Sequence, residues 1–228
     1  MKLGRVQLSL ADQRYMEAIV LPELTGFYRS FGKRSFDVAL GVLVLVASLP
    51  IMLVLMVITM LDGGPPVFAH ERVGKGHQRF KCLKFRTMRV DADAALKEHL
   101  TSNPSARKEW EEHHKLSKDP RITPIGRFLR RTSLDELPQL LNVIRGDMSF
   151  VGPRPVTDEE LVRYGSHLPK YLALRPGVTG LWQVNGRGRV SYEERVMMDA
   201  TYFYKLSLLG DLGLMLKTGL VIFQCRGR

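Results

Sequence analysis

With 228 residues, 45% of them apolar, the chain can build one core of ordinary size, and its two cysteines exclude a disulfide-built domain. A formal net charge of +11 excludes a chain indifferent to polyanions; it calls for nucleic acid, an anionic membrane surface or a phosphorylated substrate. No internal repeat or low-complexity tract interrupts it.

Residues 1–30 have mixed polarity, with a short helical pattern over residues 12–20. Residues 38–61 are uncharged and rich in Leu, Val and Met, long enough to cross a hydrocarbon core of ~30 Å. Pro50 divides this run, removing one helical hydrogen bond and clashing with the preceding turn. Each half then reaches only about 17 Å at 1.5 Å per residue, about half a membrane. Cations lie on both flanks: Arg29, Lys33 and Arg34 before, Arg72, Lys75, Arg79, Lys81 and Lys84 after. Lys and Arg mark the cytoplasmic side. Charge symmetry therefore favours a re-entrant hairpin broken at Pro50, with Ser48 supplying a hydrogen bond at the break, over a tilted span with a kink. The run starts too late and is too long for a cleaved signal peptide.

Asp62-Gly63-Gly64-Pro65-Pro66 is a turn. Residues 80–88 alternate as a strand that puts Lys84 and Arg86 on one face, a pair of cations suited to a diphosphate or simply to a solvated edge. Residues 91–118 read as a solvated helix, whose His113-His114 lacks metal-ligand spacing. Gly74-Lys75-Gly76 does not have the spacing of a P-loop. Residues 125–131 form a short helix, and residues 137–145 an amphipathic one stopped by Gly146. Residues 151–189 are ordered Pro/Gly loops and residues 192–204 are helical. Residues 206–223 are apolar but carry Asp211 and Lys217, which argues for a helix lying in the membrane interface or a buried core helix rather than a second crossing.

The chemistry concentrates in Arg130-Arg131-Thr132-Ser133-Leu134-Asp135-Glu136-Leu137-Pro138. Pro138 belongs to a helix's first turn, which puts Asp135 at the N-cap and Glu136 in that turn. A helix start depresses a carboxylate's pKa, suiting a metal ligand or a nucleophile; an ordinary cap is the plain alternative. Arg130 stands ready for phosphate oxygens. Arg154 is set between Pro153 and Pro155, either a rigid phosphate clamp or a surface turn residue. Trp182, Gln183 and Arg187 could read a base or a sugar, or Trp182 could be core.

In order, Lys84-Phe85-Arg86-Thr87-Met88, Thr132-Ser133-Leu134-Asp135-Glu136-Leu137-Pro138-Gln139, Gly146-Asp147-Met148-Ser149-Phe150-Val151-Gly152-Pro153-Arg154-Pro155 and Arg175-Pro176-Gly177-Val178-Thr179-Gly180 follow a membrane segment. This series resembles the bacterial sugar transferases, the monotopic polyprenyl-phosphate phosphoglycosyl transferases that begin surface-glycan synthesis. The resemblance runs from about residue 33 to residue 223. It implies an α+β, mainly helical, membrane-associated fold: an arm (1–32), a re-entrant membrane helix (33–62) and a cytosolic, interfacial catalytic domain (63–228). It implies transfer of a sugar 1-phosphate from a UDP-sugar to undecaprenyl phosphate, with Mg²⁺. Asp135 would be the nucleophile and a metal ligand, Glu136 its assistant, and Lys84, Arg130 and Arg154 the phosphate holders. The expected location is the cytoplasmic face of the bacterial inner membrane, with anionic lipids as partners, no nucleic acid, and homodimerisation left open. Two features stand apart. Leu49 separates Ser48 from Pro50, where relatives often join Ser to Pro directly, and the chain resembles the compact form with a short arm. The region around residues 182–189 resembles hexose-using members, which points to galactose or glucose. The rivals are a membrane anchor for a basic nucleic-acid-binding domain, and a tethered scaffold whose acids only cap a helix.

Overall fold

A computed structural model describes residues 24–113, 115–186 and 190–223. Arg187 and the helical pattern at residues 12–20 lie outside them. The described chain is mainly helical, with two small two-stranded sheets.

One turn of wide helix, Tyr28–Gly32, runs directly into α1, Lys33–Met60. Pro50 does not end α1, so the expected break into two half-helices is corrected: the element continues through the proline. The physical reason is packing on both sides of it. Leu45 before the proline and Met52, Leu55 and Met56 after it join one hydrophobic cluster with Phe85 and Leu129. That burial offsets the lost backbone bond. Ser48 Oγ donates to the Leu45 carbonyl at 3.2 Å, local support next to the proline turn.

One stripe of α1 is buried along almost its whole length: Asp37, Gly41, Met52, Leu55 and Thr59. Near the start, Arg34 donates to the carbonyls of Val143 and Ile144, and Asp37 accepts from the Phe150 amide. Gly41 lets a second helix come close, since a Cβ there would stand 3.1 Å from Ile144 Cγ1. The opposite face presents Val42, Leu43, Val46, Leu49, Leu53, Val54 and Val57 outward.

The turn after α1 leads into an antiparallel hairpin, β1 (Val67–Val73) and β2 (Arg79–Phe85), in register from Val67↔Phe85 to Val73↔Arg79. Charged helices α2 (Ala92–Ser102) and α3 (Pro104–His113) follow, matching the solvated stretch expected there. Helix α4 (Pro124–Thr132) has Thr123 as N-cap, accepting from the Gly126 amide, and ends at Ser133 in the left-handed conformation, φ 58°. A single tight turn, Leu134–Glu136, precedes α5 (Gln139–Arg145), which stops at Gly146 with φ 99°. Asn142 of α5 docks the hairpin: its Oδ1 accepts from the Leu83 amide and its Nδ2 donates to the Lys81 carbonyl.

Strand β3 (Ser149–Val151), short helices α6 (Asp158–Leu161) and α7 (Leu168–Leu172), and β4 (Gly177–Thr179) come next, with β4 parallel to β3. Gly152 and Gly177 permit this contact, because a Cβ on Gly177 would sit 2.1 Å from the Gly152 nitrogen. The chain closes with α8 (Leu181–Asn185), α9 (Tyr192–Lys205) and α10 (Leu208–Phe223). Asp211 of α10 is wholly buried and accepts from Tyr28 Oη (2.7 Å), Lys33 Nζ (2.7 Å) and Tyr202 Oη (2.8 Å), tying the two ends of the fold together. The charge that argued against a second crossing is thus directed into protein. Leu209, Leu212, Leu216 and Leu220 form an outward apolar stripe on α10.

Candidate active site

Ser133 in its left-handed conformation turns the chain sharply out of α4, so Asp135 and Glu136 stand in their own tight turn ahead of α5. They are not at the N-cap of the helix that follows, as the proline had suggested; Pro138 itself holds the boundary of the seven-residue α5. Leu134 and Leu137, on either side of the acidic pair, pack into the cluster with Met52 and Leu55 of α1. Two carboxylates are therefore pinned beside the apolar helix by the leucines that flank them.

Asp135 is 8% exposed. Burial, and then the neighbouring Glu136 charge, push its pKa up to about 6, while Lys84 and Arg130 pull it down. The depressed value expected from a helix start is corrected. Desolvation outweighs the local amide dipoles, because the turn is packed under α1 rather than open to water. Glu136 is held by Lys84, Nζ to Oε1 2.6 Å. Both partners are about a third exposed, so this ion pair orients Glu136 more than it stabilises the fold. Arg130 Nε donates to Thr87 Oγ1 at 2.9 Å, which aims the guanidinium past the end of β2 toward Asp135.

Cross-strand pairing puts Arg72 on the same hairpin face as Cys82 and Lys84. Burial raises the Cys82 thiol's pKa; Lys84, Glu136, Arg72 and Arg154 all act on it electrostatically, in that order of effect. Cys82 thus marks where the two halves of a cationic wall meet, Lys84 on one side and Arg72 with Arg154 on the other. Arg72 is braced by Glu160 at 3.2 Å. Arg154 is exposed, with its guanidinium carbon 5.7 Å from the Trp182 ring centre.

Two sequence expectations are corrected. Arg86 does not share a diphosphate grip with Lys84. The strand ends at Phe85, and Arg86 instead donates to Asp62 and to the carbonyls of Thr59, Pro65 and Met88. It clamps the end of α1 to the hairpin. Trp182 is no open stacking platform: it is 7% exposed, with Arg195 on its ring at 4.6 Å besides Arg154. Gln183 donates to the Val178 carbonyl at 3.3 Å, alongside β4. Arg187 lies outside the described residues. Sequence reasoning missed Thr87, Arg72 and Arg195. Arg72 was discoverable from the two-residue alternation of β1 and Thr87 from its place in the motif at residues 84–88; Arg195 had no signal short of the packed structure.

No cluster of three or more His, Cys, Asp or Glu side chains is poised for a metal among the described residues. Mg²⁺ needs less, since it binds through one or two carboxylates and completes its shell with phosphate oxygens and water. Asp135, with no side-chain hydrogen-bond partner among the described residues, fits that demand, and Glu136 stands next to it.

The family profile described as bacterial sugar transferase matches residues 28–225. This chain belongs to that family. An exopolysaccharide production protein, ExoY, of Sinorhizobium fredii is 49% identical over 92% of this sugar transferase and 95% of its own length. The UDP-galactose-lipid carrier transferase of Erwinia amylovora is 50% identical over 86% of this chain, and the undecaprenyl-phosphate galactose phosphotransferase of Salmonella typhimurium 47% over 86%. The chain spans 41% of each of those two longer relatives. Membership makes it an enzyme of the sugar-transferring class, and neither the nucleic-acid anchor nor the scaffold reading is favoured.

Proposed function

We propose that this sugar transferase moves a hexose 1-phosphate, galactose favoured over glucose, from its UDP derivative to undecaprenyl phosphate, as the first membrane step of exopolysaccharide synthesis. The observation that carries the reading is the placement of buried Asp135, between leucines packed on α1, within the electrostatic reach of Lys84 and Arg130. A water-borne nucleotide and a membrane-borne phosphate can both approach such a group. The names of the Erwinia and Salmonella relatives point to the same donor and acceptor.

Ionised Asp135 attacks the sugar-side phosphorus; a carboxylate–phosphorus bond forms, the bond to the UMP oxygen breaks, and UMP leaves with that electron pair. An oxygen of undecaprenyl phosphate then attacks the same phosphorus. The acyl phosphate bond breaks, Asp135 is regenerated as a carboxylate, and the product is a lipid-linked diphosphosugar. Splitting one displacement into two suits a buried nucleophile that cannot face both substrates at once. Lys84, Arg130, Arg72 and Arg154 offset the charge developing on phosphate oxygens. Glu136, oriented by Lys84, stands beside Asp135 and would assist it in handling a proton or in holding the metal. Mg²⁺, held by Asp135 with Glu136 beside it, supplies further neutralisation of the diphosphate when bound.

The same reading makes the chain monotopic, on the cytoplasmic face of the bacterial inner membrane. Gly41 and Thr59 are roughly 27 Å apart along α1, yet both are buried in the same body of protein. A helix standing upright through the bilayer could touch that body at only one end. What supports a shallow path is that α1 meets the domain near both ends, at Asp37 and Gly41 and again at Met52, Leu55 and Thr59, while its other face is apolar.

The test is turnover by the protein in membranes supplied with UDP-galactose, undecaprenyl phosphate and Mg²⁺. UMP release and transient phosphosugar labelling of the protein are expected; Asp135→Asn should abolish both, a loss on the order of 10³-fold or more. Persistent turnover in that variant excludes Asp135 as nucleophile, and no turnover with any UDP-hexose returns the chain to the scaffold reading.

A further inference from the structure

A cavity of about 440 Å³ opens at the foot of α1, lined by Arg29, Lys33, Arg34, Lys75 and Arg175 together with Asp37. It shares no residue with the group around Asp135. Its charges do not balance. Lys33 is neutralised by Asp211 at 2.7 Å, but among the described residues Arg29, Arg34, Lys75 and Arg175 have no carboxylate within ion-pair distance. Arg29, Arg34 and Arg175 rest on backbone carbonyls: those of Leu206 and Tyr204, of Val143 and Ile144, and of Gly146. Carbonyl dipoles hold a guanidinium in place without cancelling its charge. The Lys75 ammonium has no hydrogen-bond partner among the described residues, its backbone carbonyl alone accepting from the Gln78 amide. Counting lining groups, five cations face Asp37, with Asp211 behind Lys33. Among the described residues about three positive charges therefore remain around a recess whose arginines are half-buried and whose Lys75 stands exposed at its mouth, an arrangement that suits a bound anion. The direction of titration agrees: burial and then Arg175 lower the pKa of Lys75, and burial and then Arg34 lower that of Arg175.

The surroundings indicate how the anion arrives. Phe27 and Phe31, in the turns leading into α1, are 79% and 64% exposed, and Leu209, at the start of α10, is 81% exposed. Leu206, just before α10, lines the cavity itself. The recess thus sits where the outward apolar faces of α1 and α10 begin, at the level a membrane's headgroups would occupy. We propose that this cavity is a second anion site of the protein, taking a phosphate group presented by an anionic phospholipid headgroup, separate from the centre at Asp135. The Gly74-Lys75-Gly76 turn, which has no P-loop spacing, gains a role here. It carries an unpartnered lysine to the mouth of the recess on the tip of the β1–β2 hairpin.

Thermal unfolding of the full chain in a neutral detergent tests this, with short-chain phosphatidylglycerol or inorganic phosphate as the added probe. Phosphatidylglycerol should raise Tm saturably in the wild type and equally in Lys84→Ala, which alters only the other centre. Lys75→Glu and the milder Lys75→Gln should each weaken the apparent affinity, by about tenfold for the charge reversal. A shift with phosphatidylglycerol but not with inorganic phosphate identifies the lipid as source. Equal shifts with both keep the phosphate site and assign its ligand to solution. No shift with either probe, or a shift untouched in both Lys75 variants but lost in Lys84→Ala, overturns the proposal. These outcomes are independent of UMP release, so failure here and failure of the transfer reading are separable.

Discussion

On the proposed transfer mechanism, Asp135 serves chemistry at the expense of stability. Its pKa of about 6 against the ordinary 3.8 means that the folded state prefers the protonated form. The sign follows: as pH rises from about 4 through 6, the folded protein loses stability relative to the unfolded chain, by up to about 3 kcal/mol in total. Nucleophilic attack needs the ionised form, so activity runs the opposite way. We expect turnover to fall about tenfold per pH unit well below 6 and to level off above it, read from a kcat/KM profile. Asp135→Asn should be inactive and yet, at pH 7.5, unfold at a temperature equal to or above that of the wild type. A marked drop in Tm would show that the carboxylate is a structural cap after all. The acidic pair was legible in the sequence, but its environment was not. The same two letters at an open helix start would have a depressed pKa, and only the packing of Leu134 and Leu137 on α1 reverses the sign.

At the scale of elements, the junction between α1 and the hairpin is a stabilising clamp centred on Arg86. Its guanidinium engages Asp62 and three backbone carbonyls, and its side chain is only 10% exposed. Removing a nearly buried cation with that many acceptors should cost about 3 kcal/mol. Arg86→Ala is therefore expected to lower Tm by several degrees while leaving KM for the UDP-sugar within about threefold. Lys84→Ala should do the reverse, with nearly unchanged Tm and a turnover loss on the order of 10²-fold. A rise in KM for Arg86→Ala as large as that for Lys84→Ala would restore the diphosphate pair suggested by their spacing. The helices of the fold were largely visible as patterns: the amphipathic stretch ahead of Gly146, the solvated α2 and α3, the run over residues 192–204 that became α9. The parallel pairing of β3 with β4 was not, because each strand has three residues and reads as loop until glycine contacts bring them together.

For the whole molecule, the proposed monotopic reading makes the outward apolar stripes of α1 and α10 the face that meets lipid. Replacing Leu209, Leu216 and Leu220 together by Gln should shift the protein from the membrane fraction toward one released by high salt, since each buried leucine contributes about 2 kcal/mol to partitioning. Single cysteines at Ser30 and Asp62 should be labelled by an impermeant reagent from the same side. Labelling from opposite sides would require α1 to leave the domain and cross. Asp211 is what lets both stripes share one surface: by gathering Tyr28, Lys33 and Tyr202 it fixes α10 against the base of α1.

By itself the sequence determined the membrane-seeking run, the basic balance, the order of motifs and hence the family, because these depend on composition and short spacings that need no partner. Tertiary structure alone decided which cations face Asp135, which way that carboxyl titrates, that Arg86 clamps and that α1 survives Pro50. Each of those depends on desolvation and on contacts between segments well apart in the chain, such as Arg86 with Asp62, 24 residues away, Arg130 with Thr87, 43 away, and Lys84 with Glu136, 52 away. Such contacts set local dielectric and geometry, and neither is written in the neighbouring letters of the chain.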